Sequence, residues 1–582
     1  MCSIVHRRAR QFGLLSIALA ALASHPVRAA EVSSEVVSAT RDRCEGLGAQ
    51  MRGRWPDPGT RLSATHFFPD PQLIRLALPG APPAELTLPA HCELSGVMHE
   101  RVGSDGQSYA IHFHLRLPTH WNQRFFFQGG GGTNGDIGNA LGAFGAGSSP
   151  ALTQGYAVVS QDWGHDNRTN NNVQRGGIAA FGFDAQARAD YGYASLQPVA
   201  QAAKALVMAY YGSDPKYSYF VGCSKGGAEG MAAAQRYPLE FNGVLAAAPG
   251  FSLPRAALAE AWDVQALASA GGARGPLPLA SAYSDADLSI VARAVLDACD
   301  ADDGLTDGIV GAFAQCSKRK VHPQLIRLRC AQGKTSACLT AAQITALERV
   351  FAGPMDSNGR SLYSDWPWDA GIASFGWRMW KLGSADGAMP AINVTIGAAS
   401  LASVFTTPPT PVHDDIHAQF DYVNRFDFDR DAPKIFATNP LFERSAWDDI
   451  SARSSDLSGF WARGGKILVP HGVSDPVFSI NDSLAWYREV DRRTAGAAST
   501  FARVFPVPGM NHCGGGVATD QYDAFASLVD WVEQGQPPDR IIARAGPGTP
   551  WPGRERPLCP YPRIARYKGE GNTELADSFV CQ

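Results

Sequence analysis

The chain has 582 residues, 18% of them charged, with 51 Lys+Arg against 55 Asp+Glu and a formal net charge of −4. That balance excludes a strongly basic nucleic-acid binder, and a hydrophobic fraction of 45% excludes disorder or coiled coil as the main state. The length exceeds the roughly 250–300 residues that one hydrophobic core supports, so two structural units, or one domain with a large insertion, are expected.

His6, Arg7, Arg8 and Arg10 precede an apolar run from Phe12 to Ala23, and Val27-Arg28-Ala29 closes it with a small residue at each cleavage-site position that needs one. Residues 1–29 therefore read as a secretory signal peptide. The run is shorter than the about 20 residues a bilayer span needs, and no later stretch approaches that length. A secreted or periplasmic protein without stable membrane insertion is expected. Cys2 would leave with the signal, and ten of the 11 cysteines then remain for an oxidising compartment.

From residue 30 to about 250, short apolar strands alternate with helical patterns. Ser108 to Leu117 alternates in polarity, Arg124 to Phe127 is an apolar run before glycines, and Tyr156 to Ser160 reads as a buried strand. Ala189 to Tyr210 has helical period, Tyr217 to Val221 is a further strand, and Ala228 to Arg236 a further helix. The alternation weakens over residues 251–459 and resumes at Lys466 to Pro470, at Phe501 to Phe505 and in the amphipathic Tyr522 to Val532. The pattern predicts an α/β fold with a largely parallel sheet, its core split into residues 30–250 and 460–582 by an insertion at 251–459.

Gly222-Cys223-Ser224-Lys225-Gly226 lies between a strand and a helix, the setting of a G-x-S-x-G nucleophile elbow. Small residues are needed there because the turn is strained and larger side chains would strike the neighbouring strand and helix. A serine nucleophile needs a base, itself oriented by a carboxylate, in the chain order Ser, Asp or Glu, His. His512, in the Gly-rich loop after the strand ending at Phe505, is the best base, and Asp475, after the strand ending at Pro470, the best acid. His471 reads instead as a loop histidine bonded to backbone, and Asp482 as a helix cap. Cys223 and Cys513 flank the proposed nucleophile and base, so contact between Ser224 and His512 would bring the two cysteines within disulfide range. For the oxyanion, one N–H donor is expected from Lys225 and a second from the loop Gln128 to Gly135, which lacks the lysine-serine/threonine ending of a phosphate-binding loop.

These motifs, together with Gly132-Thr133-Asn134-Gly135, Gly164-His165-Asp166-Asn167 and Val507 to Cys513, resemble the tannase/feruloyl esterase family, and within it the branch that cleaves mono(2-hydroxyethyl) terephthalate (MHET). The resemblance implies an α/β-hydrolase core carrying a large inserted lid domain at 251–459. It implies catalytic Ser224, Asp475 and His512, oxyanion donors at the N–H of Gly132 and Lys225, and disulfides Cys44–Cys92, Cys223–Cys513, Cys299–Cys316, Cys330–Cys338 and Cys559–Cys581. Asp300 to Ile309 packs several carboxylates and two glycines into a short loop able to offer the oxygen ligands Ca²⁺ prefers, although it is not an EF-hand loop. The family's structural calcium site carries over to the side chains of Asp300, Asp303 and Asp307 and the carbonyls of Leu305 and Ile309. No organic cofactor is implied.

The resemblance also places Trp380 and Phe478 beside the acyl group. At the position where the MHET-cleaving branch holds the free carboxylate with a lid arginine, this chain has Ile392, and a nearby aromatic position holds Ile396. Arg378, Lys381 or the Lys225 ammonium could supply charge from another direction. The expected function is a serine carboxylic ester hydrolase acting on small esters of aromatic acids (MHET-like, feruloyl or galloyl). A feruloyl esterase or tannase without useful MHET activity is the alternative, and a serine peptidase or an inactive calcium-stabilised binding protein are the more remote ones.

Overall fold

The structure is a computed structural model, and it describes residues 34–78, 81–145, 149–271 and 277–582. The signal segment and Cys2 lie outside the described residues. Nine strands form the central sheet: β1 (Arg61–Phe68), β2 (His91–Val102), β3 (Ser108–Pro118), β4 (Arg124–Gln128), β5 (Ala157–Gln161), β6 (Tyr217–Cys223), β7 (Gly243–Ala247), β8 (Lys466–Gly472) and β9 (Ala502–Val507). Their spatial order is β1-β2-β3-β5-β4-β6-β7-β8-β9. β1, β2, β3 and β5 pair antiparallel in turn, and every pairing from β5 across to β9 is parallel.

The parallel strands are apolar without alternation because both faces are covered. Phe125 and Phe127 enter one core with Val199, Phe220, Met231 and Ile467, while Phe126 points the other way into a core with Tyr219, Leu468, Phe525 and Trp531. The helices Leu196–Tyr211 and Lys225–Arg236 therefore cover one face, and the helix Ala524–Gln534 covers the other.

The helix expected over 189–210 is regular only over Leu196–Tyr211. It is preceded by a short helix, Ala185–Ala189, and a wider-turned segment, Asp190–Ala194. Gly192 in that segment is pressed on the Asp449 carbonyl, which would lie 2.0 Å from a Cβ there. Sequence periodicity missed β1, β2 and the short central β7. In β2 the register against β3 shifts between Met98 and Arg101, and His99 takes a φ of 55°, so the polarity alternation is broken.

Between β7 and β8 no described residue joins the central sheet. The helices Leu253–Gly271, Asp285–Cys299, Lys318–Arg327, Ala341–Ala352 and Ile416–Asn424 occupy this interval. Two of them start on capping boxes, Ser284 with Asp287 and Thr340 with Gln343. Disulfides join Cys44–Cys92, Cys223–Cys513, Cys299–Cys316, Cys330–Cys338 and Cys559–Cys581, the pairing that the resemblance implied.

Candidate active site

The chain leaves β4 for β5 on one side and then returns to β6 on the other, so the loops after β4 and β6 meet at a reversal of strand order. In open α/β sheets such a crevice at the carboxyl ends of the strands is where ligands bind. Ser224 occupies it at φ 66° and ψ −123°, between β6 and the helix Lys225–Arg236. Its N–H donates to the Ala247 carbonyl at 3.1 Å, and its own carbonyl accepts from Ala228 and Gly250, each at 3.1 Å. These bonds hold a backbone conformation that a non-glycine residue adopts only under constraint. A Cβ on Gly222 would meet the Gly226 carbonyl at 2.6 Å, and one on Gly226 would meet the Gly130 carbonyl at 2.6 Å. The glycines of the elbow thus allow the β4 loop to lie directly against it.

Asp475 and His512 come from the loops after β8 and β9. His512 Nδ1 lies 2.8 Å from Asp475 Oδ2. An ionised carboxylate only accepts, so Nδ1 carries the proton and Nε2 is left as the lone pair. Burial opposes the Asp475 charge, but His512 and His471 on one carboxyl oxygen, with their hydrogen bonds, hold it well below the usual carboxylate range. Its other oxygen accepts from the N–H of Val477 at 2.8 Å and of Phe478 at 3.1 Å.

His512 Nε2 is buried and makes no hydrogen bond in the structure, so the contact expected between Ser224 and His512 is not closed. Such bonds are often open in a free enzyme and tighten around substrate. The Cys223–Cys513 disulfide nevertheless ties the two loops together one residue from each group.

His471 bonds backbone as expected, but from within β8 and not from a loop. Its Nε2 lies 3.0 Å from the Phe478 carbonyl and 3.4 Å from Asp475, and its Nδ1 lies 2.9 Å from Ser483 Oγ. Asp482 is not a helix cap. Ser479 caps the helix Ile480–Arg493, and Asp482, inside its first turn, pairs with Arg453 at 3.0 Å.

Sequence reasoning missed the groups that brace this arrangement. Asp369, in the interval between β7 and β8, is buried, accepts from Ser474 Oγ at 2.7 Å and from the N–H of Gly509 at 3.2 Å, and so joins the loop of Asp475 to the loop of His512. Trp366 Nε1 donates to the Asp475 carbonyl at 3.0 Å. Asn511 Nδ2 donates to the carbonyls of Ser474 at 3.2 Å and Gly371 at 3.3 Å. None of these carries a local motif, because each acts on residues 100 or more positions away or on backbone.

The proposed oxyanion loop is organised by a further unforeseen residue, Glu229. It is fully buried, accepts from the Gly130 N–H and from Asn134 Nδ2, each at 2.9 Å, and pairs with Lys225 Nζ at 3.1 Å. Gly132 takes φ 55°, and its carbonyl accepts from Tyr191 Oη at 3.2 Å. Lys225 opens its helix, where the first N–H groups have no partner within the helix. The Lys225 ammonium does not face a substrate. It is 2% exposed and lies 4.6 Å from the Trp163 ring centre and 4.3 Å from that of Tyr191. Burial lowers its pKa, against the opposing charge of Glu229.

Trp380 and Phe478 flank His512 edge to face, with ring centres 5.6 Å and 5.2 Å from it. Ile392 and Ile396 are half-buried at the start and within the segment Asn393–Ala398, which packs on the helix Leu253–Gly271. Arg378 and Lys381 supply no free charge. Arg378 is buried and donates to the carbonyls of Tyr283 and Ala280 at 2.8 and 2.7 Å, and Lys381 is paired with buried Asp263.

In the acidic loop, Asp300 accepts from the N–H of Asp307 at 3.2 Å and Gly308 at 3.0 Å, Asp303 from Leu305 at 3.0 Å and Gly311 at 3.1 Å, and Asp307 pairs with Arg556. The Ile309 carbonyl accepts from Gly311 N–H at 3.0 Å. Among the described residues no three His, Cys, Asp or Glu side chains are gathered as a metal site. The donor chemistry does suit a hard cation. Burial, then the neighbouring Asp307 and Asp300 charges, push Asp303 up to about 6.

Strand order and crossovers define an α/β hydrolase. Residues 92–582 match the family described as "Tannase and feruloyl esterase", and the chain belongs to that family. It is 42% identical to the mono(2-hydroxyethyl) terephthalate hydrolase of Piscinibacter sakaiensis, over 93% of this chain and 92% of that protein. It is 29% identical to a probable feruloyl esterase of Arthroderma benhamiae, over 80% of this chain and 81% of that one. The crystal structure of feruloyl esterase B from Aspergillus oryzae shares the fold at a TM-score of 0.72 and 22% identity, covering 93% of this chain and all of that one. The protein is a carboxylic ester hydrolase. No described helix is long and apolar enough to cross a membrane.

Proposed function

We propose that the protein hydrolyses small esters of aromatic acids through an acyl-enzyme on Ser224, with His512 as base and Asp475 as its orienting acid. The observation that carries this reading is the His512–Asp475 pair, 2.8 Å apart, tethered by Cys223–Cys513 to a serine held at positive φ. His512 Nε2 takes the Ser224 proton as Oγ attacks the acyl carbonyl. The oxyanion develops against the N–H groups of Gly132 and Lys225, preorganised dipoles that need not reorient. His512 then protonates the departing alcohol. A water, giving its proton to Nε2, attacks the acyl-enzyme, and Ser224 recovers its proton as the acid leaves.

Trp380 and Phe478 give the acyl side of the site two aromatic walls, and we assign residues 251–459 as a lid over it. The five disulfides fit a chain exported to a periplasmic or extracellular compartment. Rates on MHET, methyl ferulate, methyl gallate and chlorogenate test the reading. Wild type is expected to turn over at least one of them, and Ser224→Ala none, while keeping its melting temperature. Unchanged turnover by Ser224→Ala would sink the assignment, and cleavage of peptide amides alone would replace it with a peptidase.

Ca²⁺ bound by the side chains of Asp300, Asp303 and Asp307 and the carbonyls of Leu305 and Ile309 would relieve carboxylate crowding in that loop, in competition with Arg556 for Asp307. Its role would be structural. Chelation is expected to lower the melting temperature, with calcium but not sodium restoring it. Identical melting curves with chelator and with millimolar calcium would exclude the site.

A further inference from the structure

The helix expected over 189–210 is interrupted by the wide-turned segment Asp190–Ala194, and such turns within helices recur at functional sites. Packing holds this one on two sides. A Cβ on Gly164 would lie 2.5 Å from the Asp190 Cβ, and Gly192 is pressed on the Asp449 carbonyl. Ser195 Oγ donates to the Asp190 carbonyl at 2.8 Å. The segment packs on the elbow helix Lys225–Arg236, and the aromatic residue it carries into that contact is Tyr191.

Tyr191 is 2% exposed and reaches both proposed oxyanion donors. Its hydroxyl donates to the Gly132 carbonyl at 3.2 Å, and its ring centre lies 4.3 Å from the Lys225 ammonium. The Phe181 ring packs on it with centres 5.0 Å apart, and His165, stacked on Phe181, lies 6.3 Å away edge to face. Burial, with the nearby charges of Glu229 and Glu260, pushes the Tyr191 hydroxyl well above its ordinary pKa, so it stays protonated and donating.

The direction of the Gly132 N–H is set by two peptide planes. In the first, the Gly131 carbonyl accepts from the Asn134 N–H at 2.9 Å. A trans peptide is planar, so the Gly132 N–H points opposite to that carbonyl. The second plane carries the Gly132 carbonyl, which Tyr191 holds. Between the two planes Gly132 turns at φ 55°, and a Cβ built there would meet nothing within 4 Å. Packing therefore leaves this glycine free to turn, and its backbone is the most permissive of any residue. Glu229 anchors Gly130 and Asn134 on either side, but does not bond Gly132 itself. Among the described residues, the side chain that does is Tyr191.

We propose that Tyr191 is a positioning residue of the oxyanion hole. Its hydroxyl locks the Gly132 peptide so that the N–H stays aimed at the developing oxyanion, and its ring holds the Lys225 side of the hole against the same support. The inference rests on the reading of Gly132 and Lys225 as the oxyanion donors. A donor held in place stabilises the transition state without reorganising, whereas one free to swing must be aimed again at each turnover.

The test compares the fastest ester of the panel above with its thiono analogue, in which sulfur replaces the acyl carbonyl oxygen and accepts hydrogen bonds poorly. Each kcat/KM is divided by the hydroxide rate of the same ester in buffer. The oxo-to-thiono ratio within one preparation does not depend on the folded fraction. Wild type is expected to favour the oxo ester. Tyr191→Phe, which deletes the hydroxyl alone, should lower kcat on the oxo ester roughly tenfold with little change in KM, short of the about 10²–10³ that loss of a whole donor costs. The oxo-to-thiono ratio should fall by a similar factor, because the thiono ester has little donor stabilisation to lose. Tyr191→Leu, which also removes the ring beside Lys225, should lower the ratio further. A role in folding alone would slow both esters alike. Full kcat or an unchanged ratio in Tyr191→Phe overturns this inference alone. A wild type with no preference for the oxo ester overturns the oxyanion assignment and this inference with it.

Discussion

Asp475→Asn is expected to lower kcat on an aromatic ester by about 10⁴ with little change in melting temperature. The reason is the tautomer of His512. A carboxylate at Oδ2 requires the proton on Nδ1 and leaves Nε2 free to take the serine proton. An amide in its place can turn its NH₂ toward Nδ1, which moves the ring proton to Nε2 and presents the serine with a donor. The asparagine oxygen can still accept from the N–H of Val477 and Phe478, so the loop keeps its shape. Steady-state kinetics on the best substrate of the panel, with a thermal melt on the same sample, make the measurement. A rate within tenfold of wild type would remove Asp475 from the catalytic set.

Glu229→Ala is expected to lower kcat by about 10²–10³, the scale of losing one oxyanion donor, with a smaller effect on KM. The carboxylate touches neither the nucleophile nor a substrate. It positions the β4 loop through Gly130 and Asn134 while tying that loop to Lys225 on the elbow helix. Removing it also strands a buried ammonium, at a stability cost of about 3–5 kcal/mol. The two effects separate in a double variant. Lys225→Met together with Glu229→Gln removes both charges, keeps an acceptor for Gly130, and should recover most of the stability. Its kcat should remain well above that of Glu229→Ala. If Glu229→Ala lost stability but kept full kcat, the residue would be structural only.

The parts of the site that follow local rules were legible in the sequence. The elbow glycines, the order Ser224, Asp475, His512, and the two cysteines beside Ser224 and His512 are all sequence-local signals, and the geometry brings those residues to one crevice. All the parallel strands but β7 were found, because burial on both faces makes them continuously apolar; the short Gly243–Ala247 was not. What was not legible depends on contacts between distant segments. Asp369 looks like any loop aspartate until Ser474 and Gly509 are folded around it, and Glu229 looks like an ordinary helix-surface acid four residues from a lysine. The same blindness made Lys225, Arg378 and Lys381 look available to a substrate, when each is buried against a carboxylate or carbonyls.

The bonds from Trp366, Asp369 and Gly371 to the loops of Asp475 and His512 bear on how this enzyme could be re-engineered. The long segment between β7 and β8 cannot be treated as an exchangeable cap over a self-sufficient hydrolase. Its stretch from Trp366 to Ser374 braces the loops that carry Asp475 and His512, whereas the stretch around Ile392 to Ile396 carries none of those bonds. Transplants aimed at new acids can therefore replace the second stretch, and must leave the first in place for the His512–Asp475 pair to stay assembled.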